Sequence, residues 1–269
     1  MAITAADVKK LRDTTGAGMM DAKKALTEAD GDFERAIEIL RVTGQAKMAK
    51  RSDREASNGI VAAAGNTVIQ LGSETDFVAK NAEFIALAEK VVAAVDASNA
   101  TDLESARAVP LEEGTVAEAV DALATKIGEK LELKDAVKYS GSTHTYLHRR
   151  SQDLPPQVGV LVEYEGGDDA LVHSIALQIA SMQPQYVSRE DVPAEVVEKE
   201  KRIAEETARE EGKPENILGR IVEGRLGGFY KDVCLVEQPA VSDDKKTVGQ
   251  LLDAAGVKVT RFVRMSAGA

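Results

Sequence analysis

The three histidines, His144, His148 and His173, are the only side chains of this sequence whose ordinary pKa suits proton transfer near neutrality. His144 and His148 stand four residues apart, a spacing that on a helix presents two imidazoles to one metal ion. The surrounding Gly141-Ser142-Thr143-His144-Thr145-Tyr146 reads as loop or strand, where that spacing does not converge, and no third ligand stands nearby. His173 follows Val172 in a helical pattern and reads as structural. The single cysteine, Cys234, lies in the apolar run Val233-Cys234-Leu235-Val236, the setting of a buried thiol and not of a nucleophile. Neither a serine elbow, a Walker sequence nor GxGxxG occurs, so nucleophilic and phosphate-loop chemistry lack a motif. What remains is the turn Thr75-Asp76-Phe77-Val78, where a Phe beside an Asp is either a cap on the core or an exposed anchor for a partner.

The composition narrows the partner. At 269 residues the chain can hold two domains, and its 43% hydrophobic and 29% charged content is that of a globular protein. A formal net charge of −11 argues against direct nucleic-acid binding, which draws on phosphate neutralisation, but not against a protein partner. No run approaches the roughly 18 apolar residues of a membrane span. Met1-Ala2-Ile3-Thr4 leads straight into a polar helix pattern, and one cysteine suits a reducing compartment; a soluble cytoplasmic protein is expected.

The elements that would position these residues follow from periodicity and punctuation. Residues 1–44 read as three short helices. Thr4 and Asp7 form a capping box, Gly16-Ala17-Gly18 and Gly31 act as breaks, Asp32 caps the third helix, and Gly44 ends it. Residues 45–57, with Lys47, Lys50, Arg51 and Arg54, read as a partly helical linker. Ile60–Ala64 and Thr67–Leu71 flank Gly65-Asn66 as a hairpin. A helix from Asn81 carries Phe84, Leu87, Val91 and Val95 inward, residues 96–114 read as mixed loop, and Thr115 to Glu118 opens a helix to Lys130. A strand follows near Leu131–Ser140. Strand, turn and helix recur from Val158 to Met182, which suggests a duplicated subdomain. Residues 189–228 differ: two charged helices about Gly212-Lys213-Pro214 share a thin seam of Val196, Val197, Ile203, Ala204, Ile217, Ile221 and Val222, a protruding antiparallel hairpin. Val233–Val236 and Val257–Val263 read as strands, and Thr247 with Gln250 as a further capping box. The fold class expected is α+β, with core subdomains at 58–140 and 141–269.

Two long stretches go further. Ser73-Glu74-Thr75-Asp76-Phe77-Val78-Ala79-Lys80 and Leu11-Arg12-Asp13-Thr14-Thr15-Gly16-Ala17-Gly18-Met19-Met20-Asp21-Ala22-Lys23-Lys24-Ala25-Leu26 resemble the two signatures of the bacterial elongation factor Ts family. Lys126-Ile127-Gly128-Glu129, Val222-Glu223-Gly224-Arg225, Glu237-Gln238-Pro239 and Lys246-Thr247-Val248-Gly249-Gln250 match it in order along the chain. Arg149–Gln157 stands where the family usually has a short glycine-rich link. The resemblance implies a ubiquitin-associated-like N-terminal module, two α+β core subdomains and an inserted hairpin. It also implies a guanine-nucleotide exchange factor, without bond chemistry or cofactor, that binds the GDP-bound and nucleotide-free forms of elongation factor Tu. By the same resemblance Asp76, Phe77, Val78 and Ala79 displace that partner's magnesium, and Arg12, Met19, Met20, Ile127, Gly128, His148 and Val241 make further contacts. Two other classes stay open: a non-catalytic adaptor or chaperone-like binder on the same modules, and a metal-dependent hydrolase on His144 and His148.

Overall fold

The computed structural model describes residues 3–49 and 53–268, with backbone alone for 45–49; Lys50 and Arg51 of the expected basic linker and the Lys47 side chain lie outside the described residues. The chain forms two compact units. The first comprises the chain up to Lys138 with Arg149–Gln157 and the stretch from Met265; the second comprises Tyr139–His148 and Val158–Arg264.

The first unit opens with α1 (Ala5–Thr15), α2 (Met19–Glu28) and α3 (Phe33–Ala49). The Thr4–Asp7 capping box forms, and Gly16 closes α1 in the left-handed region at φ 68°. The three helices bury Val8, Leu11, Ala22, Ala25, Leu26, Ala29 and Ala36 among themselves. The Arg35 amide donates to Asp32 Oδ1 at 3.1 Å, the expected cap of α3. Gly44, however, does not end that helix, whose backbone runs on to Ala49. A Cβ on Gly44 would stand 3.1 Å from Thr125 Cγ2, so here the missing side chain admits a neighbouring helix. A glycine within a helix costs only about 1 kcal/mol relative to alanine, which such packing can offset.

Next come β1 (Asn58–Ala64), β2 (Thr67–Ser73), α4 (Asp76–Ala79), α5 (Ala82–Ala97), α6 (Leu103–Arg107), the small hairpin β3 (Pro110–Leu111) and β4 (Gly114–Thr115), α7 (Val116–Ile127) and β5 (Leu131–Lys138). The sheet order is β1-β2-β5, with both pairings antiparallel. The Gly65-Asn66 turn is held by Asp96 of α5, whose Oδ1 accepts from the Asn66 amide at 3.1 Å and from Thr67 Oγ1 at 2.8 Å. Residues 96–114, expected as loop, hold α6, capped by Asp102, and the β3–β4 hairpin. Their stretches are too short for a period to show. Ile69, Leu71, Phe84, Ala88, Val91 and Val116 form the fully buried centre of this core.

The second unit contains β6 (Ser142–His148), β7 (Val158–Glu165), α8 (Asp169–Met182), α9 (Ala194–Glu210), α10 (Leu218–Val233), β8 (Pro239–Ala240), β9 (Asp243–Thr247), α11 (Val248–Ala255) and β10 (Lys258–Ser266), whose last residues join the first unit. Its sheet order is β6-β7-β10. Each unit thus has an antiparallel strand pair whose second strand takes a later, helix-separated strand as its other neighbour. Glu163 on β7 braces the sheet: its carboxylate accepts from Gly141 N–H at 2.8 Å, Thr260 Oγ1 at 3.1 Å and Arg261 Nε at 2.7 Å. The Arg261 hydrogen bond chiefly holds the Glu163 pKa down at about 2, with Gly141 and Thr260 adding to it against the cost of burial.

Three expectations for this unit need correction. Val233–Val236 is no strand: Val233 ends α10, Cys234 is extended, and Leu235–Glu237 is a 3-10 turn. A four-residue apolar run carries no period that separates these possibilities. The buried Cys234 thiol is pushed up to about 11, mainly by desolvation. The hairpin, expected to close at 228, has a second helix that runs on through Gly227 and Gly228 to Val233, because Phe229, Tyr230 and Val233 pack against Val192, Val196 and Val197 at the hairpin root. Above that root the seam buries Ala204, Ala208, Leu218 and Val222, while Ile203 and Ile217, expected within it, stay 43% and 40% exposed.

Candidate functional site

Phe77 and Phe84 lie seven residues apart and have opposite fates: Phe84 is fully buried and Phe77 is 80% exposed. The turn that presents Phe77 is fixed from both sides. Ser73 Oγ donates to the Thr75 carbonyl at 2.9 Å, and Thr75 Oγ1, as the cap of α4, accepts from the Val78 amide at 3.3 Å. Val78 and Ala79 face inward and join the core around Phe84, so they anchor the turn from beneath. Asp76 is half-buried and pairs with Lys80 at 3.0 Å, and the Lys80 ammonium stands 6.0 Å from the Phe77 ring centre. A large apolar ring held out in water on a rigid turn is an unusual use of side-chain area in a chain with five Phe.

The same turn is tied to the end of α7. Glu129 accepts from the Thr75 amide at 3.3 Å and from Thr75 Oγ1 at 3.0 Å. The next residue's amide, Lys130 N–H, donates to Glu74 Oε1 at 2.5 Å. Ile127 and Gly128 immediately precede these residues, Ile127 half-buried and Gly128 capping α7 at φ 88°. Hydrogen bonds from Thr75 to Glu129 and from Lys130 to Glu74 thus tie the segment that carries Asp76 and Phe77 to the one that carries Ile127 and Gly128. Lys126 extends this link: its ammonium pairs with Glu83 at 2.6 Å while its aliphatic stem lies against Gly16 of the α1–α2 turn. Just beyond that turn Met20 is 76% exposed and Met19 about half so; Arg12, on α1, pairs with its neighbour Asp13 at 2.6 Å.

His148 and Val241 belong to the second unit. Val241 is 69% exposed in the two-residue turn between β8 and β9. Beneath it lies a buried amide chain: Val241 N–H donates to Gln178 Oε1 at 2.8 Å, Gln178 Nε2 donates to Gln238 Oε1 at 3.1 Å, and Gln238 Nε2 donates to the Asp232 carbonyl at 3.1 Å. Buried amides are costly unless paired, and full pairing makes the loop geometry specific. His148 is exposed at the end of β6, its Nδ1 3.0 Å from the Tyr146 hydroxyl.

The structure does not bring His144 and His148 together as ligands. Both lie on β6, about 13 Å apart by the rise of a strand. His144 Nε2 instead meets His173 Nδ1 at 3.0 Å, and burial followed by that neighbour pushes the His144 pKa down. Among the described residues no group of three His, Cys, Asp or Glu side chains is arranged to hold a metal ion. An open cleft of about 610 Å³ lies in the first unit, lined by Thr15, Leu40, Arg41, Leu111, Glu118 and Thr125, without histidine or cysteine on its walls. No helix among the described residues is long and apolar enough to cross a membrane.

Sequence reasoning passed over the supporting groups. Glu129 carries the link between two segments for which partner contacts are expected, and Gln178 holds Val241, yet neither announces itself as functional. The available signal for Gln178 was a polar residue in an otherwise apolar stretch of α8.

Residues 74–269 match the family model described as Elongation factor TS. The chain is 65% identical to "Elongation factor Ts" of Cutibacterium acnes over 269 residues, covering all of both chains. It is 59% identical over 265 residues to the protein of that name from Mycolicibacterium vanbaalenii, covering 98% of each. It is 57% identical over 269 residues to that of Mycolicibacterium smegmatis, again with 98% of each. With identity of this order running from the α1–α2 turn through the Phe77 turn to β10, the chain belongs to the elongation factor Ts family.

Proposed function

We propose that this protein is a translation elongation factor of the cytoplasm that binds elongation factor Tu in its GDP form and accelerates GDP release. The observation that carries the reading is Phe77, an apolar ring 80% exposed on a turn held by hydrogen bonds on either side of it. Asp76 and Phe77 enter the partner near its magnesium site and displace the ion, while Val78 and Ala79 hold the turn against recoil. Loss of the magnesium weakens the grip on the phosphates; GDP leaves and GTP can enter. Met19, Met20 and Arg12 extend the contact from the N-terminal helices, Ile127 and Gly128 from the end of α7, and His148 and Val241 from the second unit.

Such work needs differential contacts and no acid or base. A factor that prefers the nucleotide-free partner weakens nucleotide binding by the same ratio by which nucleotide weakens its own. The test is direct: the protein is mixed with elongation factor Tu loaded with fluorescent GDP, and release is timed against excess unlabelled nucleotide. Acceleration that saturates with protein concentration supports exchange. Binding without acceleration would leave only an adaptor, and neither would end the reading.

A further inference from the structure

Along β6, His144, Tyr146 and His148 alternate onto one face of the strand. His173 of α8 meets this row: its ring stands edge-on to Tyr146 at 5.8 Å between centroids and edge-on to His144 at 5.2 Å. Tyr146 is therefore fixed at its ring, which packs half-buried against the core of the second unit. Only its hydroxyl is left to act outward, and it lies 3.0 Å from His148 Nδ1.

We infer that Tyr146 is a positioning residue for His148: its hydroxyl donates to Nδ1, fixes the proton on Nε2, and so makes His148 a hydrogen-bond donor to the partner. This rests on the reading of His148 as a partner contact. A phenol is a stronger donor than a neutral imidazole, and an imidazole nitrogen that accepts a hydrogen bond leaves the proton on the other. The Nε2–H then lies across the ring from the nitrogen that meets Tyr146, on an exposed side chain. The complementary group on the partner is an acceptor, a main-chain carbonyl or carboxylate oxygen. Without the hydroxyl, the His148 ring samples two broad orientations about its last torsion and both tautomers.

The test uses the full chain with Tyr146→Phe, which keeps the packed ring and removes one oxygen. Two readouts are taken. Nitrogen NMR of the free protein above pH 7.5 reports the His148 tautomer, with a single Nε2–H form expected in the wild type and a mixture in the variant. Association with GDP-bound elongation factor Tu is measured for the wild type, Tyr146→Phe, His148→Ala and the double variant. Tyr146→Phe should weaken association about three- to tenfold, the range of one oriented hydrogen bond, with the melting temperature held within a few degrees. On the His148→Ala background the same change should have less than a twofold effect. An unchanged tautomer, an unchanged association, or an equal loss on both backgrounds overturns the inference and leaves the exchange reading standing. A wild-type protein that does not bind elongation factor Tu overturns that reading, and with it the role assigned to Tyr146.

Discussion

At the scale of single residues, burial separates side chains that the sequence pattern treats alike. Phe77 and Phe84 both flank the start of a helix, yet only Phe84 fills the core. Truncating a core phenylalanine costs roughly 3–5 kcal/mol, so Phe84→Ala should lower the melting temperature by many degrees. Phe77→Ala should leave it within a few degrees of the wild type. Burying such a ring in a partner contributes roughly 1.5–3 kcal/mol, and about 1.4 kcal/mol is tenfold in an equilibrium. If that burial opens only when the magnesium site is displaced, Phe77→Ala slows catalysed GDP release about tenfold or more. Melting and release measured on the same variant decide the matter: a large loss of stability, or an unchanged rate, would remove Phe77 from the mechanism.

Between residues and the whole chain, two elements make separate forecasts. Glu163 ties β6, β7 and β10, and its pKa of about 2 lies below the ordinary 4.5. Folding therefore favours the ionised carboxylate. The stability it contributes is complete above about pH 4.5 and fades as pH falls toward 2. Glu163→Gln should flatten the stability profile across that window and lower stability at neutral pH, where the Arg261 guanidinium loses its charged partner; equilibrium urea unfolding from pH 2 to 7 measures both. The α9–α10 hairpin makes the second forecast. Its upper part holds only a thin seam, closed by Arg225 on Glu211 at 2.7 Å, whereas its root packs Val192, Val196 and Val197 on Phe229, Tyr230 and Val233. Replacing residues 201–224 with a short Gly-Ser linker should preserve a cooperative calorimetric transition. Excision of all of 189–228 should not leave it intact, because that cut also removes the Arg189–Glu237 pair at 2.7 Å.

For the molecule as a whole, the question is how contacts spread over several elements combine. The N-terminal helices have a core of their own, and the sheet core of the first unit is built from residues between Ile60 and Ala136. We expect a chain lacking residues 1–52 to unfold cooperatively, since none of that sheet core is lost. The contacts proposed for Met19, Met20 and Arg12 would be gone, and a linked second contact raises effective concentration without new chemistry. Association with elongation factor Tu should weaken about tenfold or more while release at saturating protein stays fast. Titration calorimetry beside the release assay separates the two effects, and equally tight binding by the truncated chain would give the helices another task.

Local chemistry was legible in the sequence wherever a few neighbouring residues decide it. The Thr4–Asp7, Thr115–Glu118 and Thr247–Gln250 boxes, the Gly65-Asn66 hairpin and the inward stripe of α5 all follow from spacing, because caps, turns and helical faces are set within one or two turns of chain. The signature stretches carried the family for the same reason: they are contiguous. Gly44 misled as a stop because a neighbouring helix, packed where its side chain would stand, offsets a local cost of about 1 kcal/mol. Ile203 and Ile217 misled as seam residues because period alone does not fix the rotation of two helices about each other. Tertiary structure alone decided that Phe77 faces water, that Glu129 reaches 54 residues back to Thr75, and that Gln178 supports Val241 across 63 residues. Exposure and long-range hydrogen bonds depend on which surfaces meet after the chain has folded, and no local pattern of letters contains that meeting.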